Sequence, residues 1–316
     1  MPPPPDTPPT RPTAPTASTG IHDGGEEVDI SGYDALNVAK LPDSFFISII
    51  GSRRSGKSFL VNYLLQLFQK SKRAFTHIFL ISPTDSGFEG IPRKFRFADL
   101  ENIHHIIRLQ KRIKAHNKKQ TAKKDMVKSR VCIVIDDCAC MSGPDSLRSS
   151  QVLEEMALNG RHLGNDGMDG NGVSFFVLSQ SLTRINRAIR LNQDVFIFNN
   201  IASAKERELI MDECFFINTR RDAKRRARDL YETLAKSQDY RFIAVCNFIQ
   251  NKRRHEDFIR VVDAVDKKKF QLFGSPSDDE GSSDDEMDAV FRGNKPRTLP
   301  GGRQFISGGK VKPNTY

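Results

Sequence analysis

Gly51-Ser52-Arg53-Arg54-Ser55-Gly56-Lys57-Ser58 is the stretch that decides how this chain is read. It fits the pattern G-x-x-x-x-G-K-[ST] and stands in the context that pattern needs. A buried apolar run at 45–50 precedes it, and the helix-compatible stretch 59–68 follows. Gly51 and Gly56 let the backbone curl so that its N–H groups turn toward a phosphate. The helix that follows presents its positive N-terminus to the same anion. Lys57 is long enough to reach β- and γ-phosphates, and the Ser58 hydroxyl is a hard oxygen ligand suited to Mg²⁺. With Phe59 at the start of the helix, Gly51, Ser52, Arg53, Arg54, Ser55, Gly56, Lys57, Ser58 and Phe59 form the candidate nucleotide-binding segment.

Working outward, short β-branched runs recur at 45–50, 77–81, 131–135, 174–178 and 195–198, with a sixth at 242–248 expected as an edge strand. Helical patterns lie between them. At 100–113, Leu100, Ile103, Ile106, Ile107 and Ile113 share one face, and 151–158, 203–213 and 222–236 also read as helices. Strands alternating with helices predict an α/β fold, a mostly parallel sheet with helices on both faces.

Two of these strands end in functional side chains. Val131-Cys132-Ile133-Val134-Ile135-Asp136-Asp137 is a buried strand closed by two carboxylates. Asp136 is placed to hold Mg²⁺, and Asp137 to orient or deprotonate an attacking water. Ser174-Phe175-Phe176-Val177-Leu178-Ser179-Gln180 ends in a polar group at the sheet edge where α/β proteins bind ligands. Gln180 either touches the terminal phosphate or makes a local hydrogen bond. Arg161 and His162 follow the helix at 151–158 and precede a Gly/Asn/Asp-rich loop. Arg161, Arg187 and Arg190 are each candidates to reach a neighbouring subunit's γ-phosphate. No Asn-Lys-x-Asp run follows a late strand, which favours ATP over GTP.

Charge points to the partner. The 316 residues carry 49 Lys and Arg against 39 Asp and Glu, a formal charge of +10, and this excess suits a polyanion such as nucleic acid. One basic cluster comprises Arg108, Lys111, Arg112, Lys114, Lys118, Lys119, Lys123, Lys124, Lys128 and Arg130. A second comprises Arg220, Arg221, Lys224, Arg225, Arg226 and Arg228. Neither has an aromatic stacking platform, so duplex backbone suits them better than single strands. Cys138 and Cys140 are too close for a zinc pair, and the five cysteines read as reduced, buried thiols. No run approaches the roughly 18 apolar residues of a membrane span, and the N-terminus lacks the apolar core of a signal peptide. An intracellular or intravirion, soluble protein is expected. Residues 1–40 should be a disordered tail, Pro-rich and then acidic; 41–274 the folded domain; and 275–316 a disordered tail, acidic and Ser-rich and then Gly- and Lys-containing.

Together, GSRRSGKS (51–58), VCIVIDD (131–137), ALNGRH (157–162) and FFVLSQ (175–180) followed by AIRLNQDVFIF (188–198) resemble the FtsK–HerA branch of P-loop ATPases. Within it they resemble the poxvirus-type genome-packaging ATPases of large eukaryotic DNA viruses. The resemblance runs from about residue 44 to 200. It implies an ASCE or RecA-like P-loop NTPase domain that hydrolyses ATP with Mg²⁺, with Lys57 and Ser58 on nucleotide and metal and Asp136 on Mg²⁺. Asp137 is then the catalytic acid, Gln180 the sensor and Arg161 the best candidate for a trans-acting finger. It further implies a homo-oligomeric ring threading double-stranded DNA into a capsid, a capsid or portal-vertex partner, and work in the virion or viral factory. Bacterial relatives usually carry Glu where this chain has Asp137. A related helicase or conjugation-type DNA pump is the alternative.

Overall fold

The computed structural model describes residues 33–264, apart from 85–86, 137, 139–145, 164–171, 200, 202, 215–224, 226–227, 234–240, 251 and 253. Its strands are β1 (Phe46–Ile50), β2 (His77–Ile81), β3 (Arg96–Phe97), β4 (Arg130–Ile135), β5 (Gly172–Ser179), β6 (Val195–Phe198), β7 (Arg241–Cys246) and β8 (Ile259–Asp263). They form one sheet in the order β3-β2-β4-β5-β1-β6-β7-β8. The strands from β3 to β6 pair in parallel, while β7 runs antiparallel to both β6 and β8. Two reversals make β8 parallel to β1 again.

The helices are α1 (Lys57–Gln69), α2 (Asn102–Asn117), α3 (Gln151–Leu163), α4 (Arg187–Asn192) and α5 (Ala204–Cys214). Successive strand side chains alternate between two cores, as the period of two requires. On one face Ile47, Ile49, Val134 and Phe176 pack against Leu60, Leu64 and Phe68 of α1. On the other, Phe46, Ile133, Phe175 and Phe198 pack against Ile103 and Ile107 of α2 and Leu153 and Met156 of α3. Burial on both faces explains why β1, β4 and β5 are continuous apolar runs.

Several expectations shift. The run at 242–248 is expected as an edge strand, yet β7 lies inside, because β8 pairs along its outer side from Val245↔Ile259 to Arg241↔Asp263. The folded chain also starts before residue 41. Ala35 bridges Val261, Leu36 and Val38 are buried, and the Arg73 guanidinium donates to the carbonyls of Val38 (2.8 Å), Leu41 (2.6 Å) and Pro42 (2.5 Å). The helix expected at 151–158 continues through Leu163, so Arg161 and His162 sit in its last turn instead of after it. Arg130 leaves the first basic cluster. It is 3% exposed, donates to the Asp43 carbonyl at 3.0 Å and lies over the Phe75 ring at 5.5 Å. Burial pulls its pKa down, as expected for a cation withdrawn from water. Cys132, Cys138, Cys214 and Cys246 are buried thiols outside any disulfide, matching the thiol reading, and burial pushes the Cys246 thiol up to about 11. Arg220, Arg221, Lys224 and Arg226 of the second cluster, residues 1–32 and 265–316, and Cys140 lie outside the described residues.

The rest of the first basic cluster is mounted on a firm base. Buried Asn117 donates to the Val127 carbonyl (2.9 Å) and accepts from its N–H (2.8 Å), and buried Gln110 exchanges hydrogen bonds with Ser129. These pairs close the loop 118–128, whose Lys118, Lys119, Lys123, Lys124 and Lys128 are exposed. Asn117→Ala strands the Val127 backbone groups and is expected to cost about 1–3 kcal/mol in urea unfolding.

Candidate nucleotide site

The phosphate loop leaves β1 at the C-terminal edge of the parallel strands, where α/β sheets bind ligands. Gly51 N–H donates to the Ser179 carbonyl at 3.2 Å, pinning the loop's first residue to the end of β5. A Cβ at Gly51 would stand 2.5 Å from Ser55 Oγ and 3.3 Å from Ser55 Cβ, so any larger residue here forces Ser55 to move. Arg54 (φ 64°) and Gly56 (φ 83°) both take the left-handed conformation that turns the chain into α1. For Arg54 that conformation costs on the order of 1 kcal/mol, a strain that persists because the surrounding loop imposes it. Gly56 is the N-cap and adds no side chain over the helix start.

Lys57 folds back along the loop, its Nζ donating to the carbonyls of Gly51 and Ser52 at 2.9 Å each. Asn199, at the end of β6, donates to the Ser55 carbonyl at 3.3 Å and braces the loop from the other side. The decisive contact crosses the sheet: Ser58 Oγ donates to Asp136 Oδ2 at 3.0 Å. Asp136 is held by its own N–H, which donates to the Ile81 carbonyl at 3.0 Å. The residues expected from sequence to share a metal therefore meet, although 78 positions separate them. Asp137 lies outside the described residues, and so does the side chain of Arg161.

Between β1 and β4 stands β5, so the strand ending in Gln180 is inserted between the phosphate loop and the acidic strand. Gln180 is exposed at that end. The turn that carries it is fastened by a residue that sequence reading misses. Glu206, in the first turn of α5, accepts from the Ser181 hydroxyl and from the Leu182 N–H at 3.0 Å. Ser179 Oγ donates to the Ser181 carbonyl at 2.8 Å and closes the bend around Gln180. Nothing local in the run Ala204-Lys205-Glu206 marks that role, because it depends on α5 packing beside the β5 turn.

The arginine rivals separate. Arg190 pairs with Glu213 at 3.0 Å and donates to the Leu182 carbonyl at 3.2 Å, so it ties α4 to α5 within its own subunit. Arg187 is exposed.

A cavity of about 420 Å³ opens over the loop, lined by Arg54, Ser55, Gly56, Lys57, Ser58, Phe59 and Ala264. Its volume falls within the roughly 300–1,000 Å³ of small-ligand pockets. Among the described residues no cluster of three His, Cys, Asp or Glu could hold a metal, and no helix is long and apolar enough to cross a membrane.

The phosphate loop, the intervening strand β5 and the strand that leads to Asp136, in this order on a mostly parallel sheet, are the arrangement of a P-loop ATPase. The chain belongs to the Poxvirus A32 protein family, whose profile matches residues 35–269. No curated protein matches the chain in sequence. Among solved structures it is similar to the genome packaging NTPase B204 from Sulfolobus turreted icosahedral virus 2 in complex with ATP-gammaS, with 13% identity, a TM-score of 0.45, and 70% of this chain and 98% of that one covered. B204, the DNA-packaging ATPase from Sulfolobus Turreted Icosahedral Virus, gives 15%, 0.45, 71% and 99%. The pCW3 conjugation coupling protein TcpA, in its monomer form with ATPgS, gives 14%, 0.44, 75% and 70%.

Proposed function

We propose that this protein is an ATP-driven double-stranded DNA translocase that packages a viral genome into a capsid. The observation that carries the reading is the Ser58–Asp136 contact at 3.0 Å beside the phosphate loop, in a chain of the A32 family. A hydroxyl and a carboxylate converging beside a phosphate cradle are the hard oxygen set that Mg²⁺ prefers. Ser58 and Asp136 would hold it, and when bound it neutralises charge on the β- and γ-phosphoryl oxygens.

The chain's own groups do the rest. Loop N–H groups and the α1 terminus bind the phosphates, and Lys57 moves from the Gly51 and Ser52 carbonyls onto the terminal phosphates as they enter. Asp137 orients the attacking water and accepts its proton as the water oxygen bonds to phosphorus and the bridging oxygen leaves with ADP. Gln180 reads whether the γ-phosphate is present, through a turn that Glu206 holds to α5. Arg161, in the last turn of α3, serves a neighbouring subunit in a ring. The ring meets a capsid or portal-vertex protein where the genome enters the virion.

A motor indifferent to sequence grips phosphates. The loop 118–128 precedes β4, so it lies at the sheet edge opposite the phosphate loop, about 20 Å away across a six-residue strand. It can therefore hold DNA without blocking nucleotide entry. Changing Lys118, Lys119, Lys123, Lys124 and Lys128 to Gln is expected to flatten the log–log salt dependence of duplex affinity by about 0.9 per lysine that contacts a phosphate. A slope equal to the parent's removes this loop from the DNA path. Translocation itself is tested by displacement of a triplex-forming strand from duplex DNA. ATP-dependent displacement with the duplex intact supports the motor, and separated duplex strands support a helicase.

A further inference from the structure

We infer that the nucleobase of ATP is held by Phe59 and Ala264, at the mouth of the cavity where β8 ends. The inference rests on the nucleotide reading of residues 51–58 and adds where the rest of the ligand goes.

Strand β8 has no counterpart among the strands expected from sequence, yet it closes the sheet on the β6 side. Because it is antiparallel to β7, and β7 to β6, β8 runs in the same direction as β1. Its C-terminal end, Asp263 followed by Ala264, therefore emerges at the same edge as the phosphate loop. Three inter-strand spacings separate β8 from β1, about 14 Å, on the scale of an extended nucleoside triphosphate. The phosphates occupy the loop end, around Lys57 and Ser58. The base then extends toward β8.

The lining there has the right chemistry. Phe59, the first residue after the phosphate motif, is half-buried and carries the only aromatic ring among the cavity's described lining residues. A flat heteroaromatic base gains most from such a ring and from apolar neighbours. Ala264 is 9% exposed and belongs to the core on the α1 face, with Val262 two residues earlier on the same side of β8. Its methyl group leaves space that any larger side chain would fill. Ser55, Gly56, Lys57 and Ser58 are already committed to the phosphate end, so Phe59 and Ala264 are the apolar part of the cavity.

The test separates base from phosphate. Dissociation constants of the full chain, with Mg²⁺, are measured for ATP, for ribose 5-triphosphate and for inorganic tripolyphosphate. The wild-type protein is expected to bind ATP at least about tenfold tighter than ribose 5-triphosphate, because only ATP carries a base to stack on the ring and bury against the apolar lining. Ala264→Phe, and independently Phe59→Ala at its half-exposed position, are expected to weaken ATP several-fold or more while leaving tripolyphosphate unchanged. Lys57→Ala weakens all three ligands. Equal affinity of the wild type for ATP and ribose 5-triphosphate overturns the subsite, and so does a parallel loss of ATP and tripolyphosphate in both pocket variants. If wild-type protein binds none of the three, the nucleotide reading of 51–58 itself fails.

Discussion

Lys57→Ala is expected to lower ATP turnover about 10²- to 10³-fold, the loss typical when one preorganised donor to a developing oxyanion is removed. Its Nζ already sits within the curl of the loop, held by two carbonyls at 2.9 Å. The ammonium is thus positioned before substrate arrives and needs only a short movement onto the phosphates. A neutral methyl at this position leaves the loop N–H groups to bear the terminal charge alone. Lys57→Arg should not restore turnover, because a planar fork cannot occupy the place of a compact ammonium between those carbonyls. Lys57 is half-buried in the loop, so thermal stability should hold. The measurement is phosphate release under saturating ATP, with melting as the control.

The second large effect is at Asp137. Asp137→Asn is expected to reduce turnover about 10²- to 10⁴-fold, the range for a positioned general base, while ATP still binds. The split follows from the division of labour between adjacent acids. Asp136 faces Ser58 at 3.0 Å and is the proposed metal ligand. In the proposed mechanism Asp137, next along the chain, acts on the attacking water and contributes little to ground-state binding. Asp136→Asn should instead weaken the Mg²⁺ dependence as well as the rate. Stopped turnover with retained ATP affinity for Asp137→Asn supports this division, and equal turnover by variant and parent removes Asp137 from the chemistry.

How much of this was legible in sequence depends on how local the cause is. The phosphate loop, the acids after β4 and Gln180 after β5 stand out because each ends an apolar run, and parallel strands bring such ends to one edge. The central strands were readable for the same reason, burial on both faces leaving continuous Val, Ile and Phe. What escaped is set by distant partners. Ile259-Arg260-Val261-Val262-Asp263 follows a charged stretch and carries an arginine, and only pairing with β7 makes it a strand. β3 has two residues and exists through Leu80↔Arg96 and Ile81↔Phe97. Arg130 sits at the end of a Lys/Arg-rich run, and its burial depends on Asp43 and Phe75 closing over it. Glu206 looks like any solvent-facing helical acid until α5 is placed against the turn after β5. The segment 35–41 lacks a strand pattern, and Arg73 gathers its carbonyls from across α1.

A packaging motor must tie nucleotide turnover at this site to DNA. The deciding measurement is the steady-state ATPase rate of the full chain, with Mg²⁺, in the presence and absence of long duplex DNA. We expect strong stimulation by duplex, absent in Lys57→Ala and weakened at high salt. A wild-type rate that ignores duplex DNA, or duplex-stimulated turnover that survives in Lys57→Ala, would contradict it.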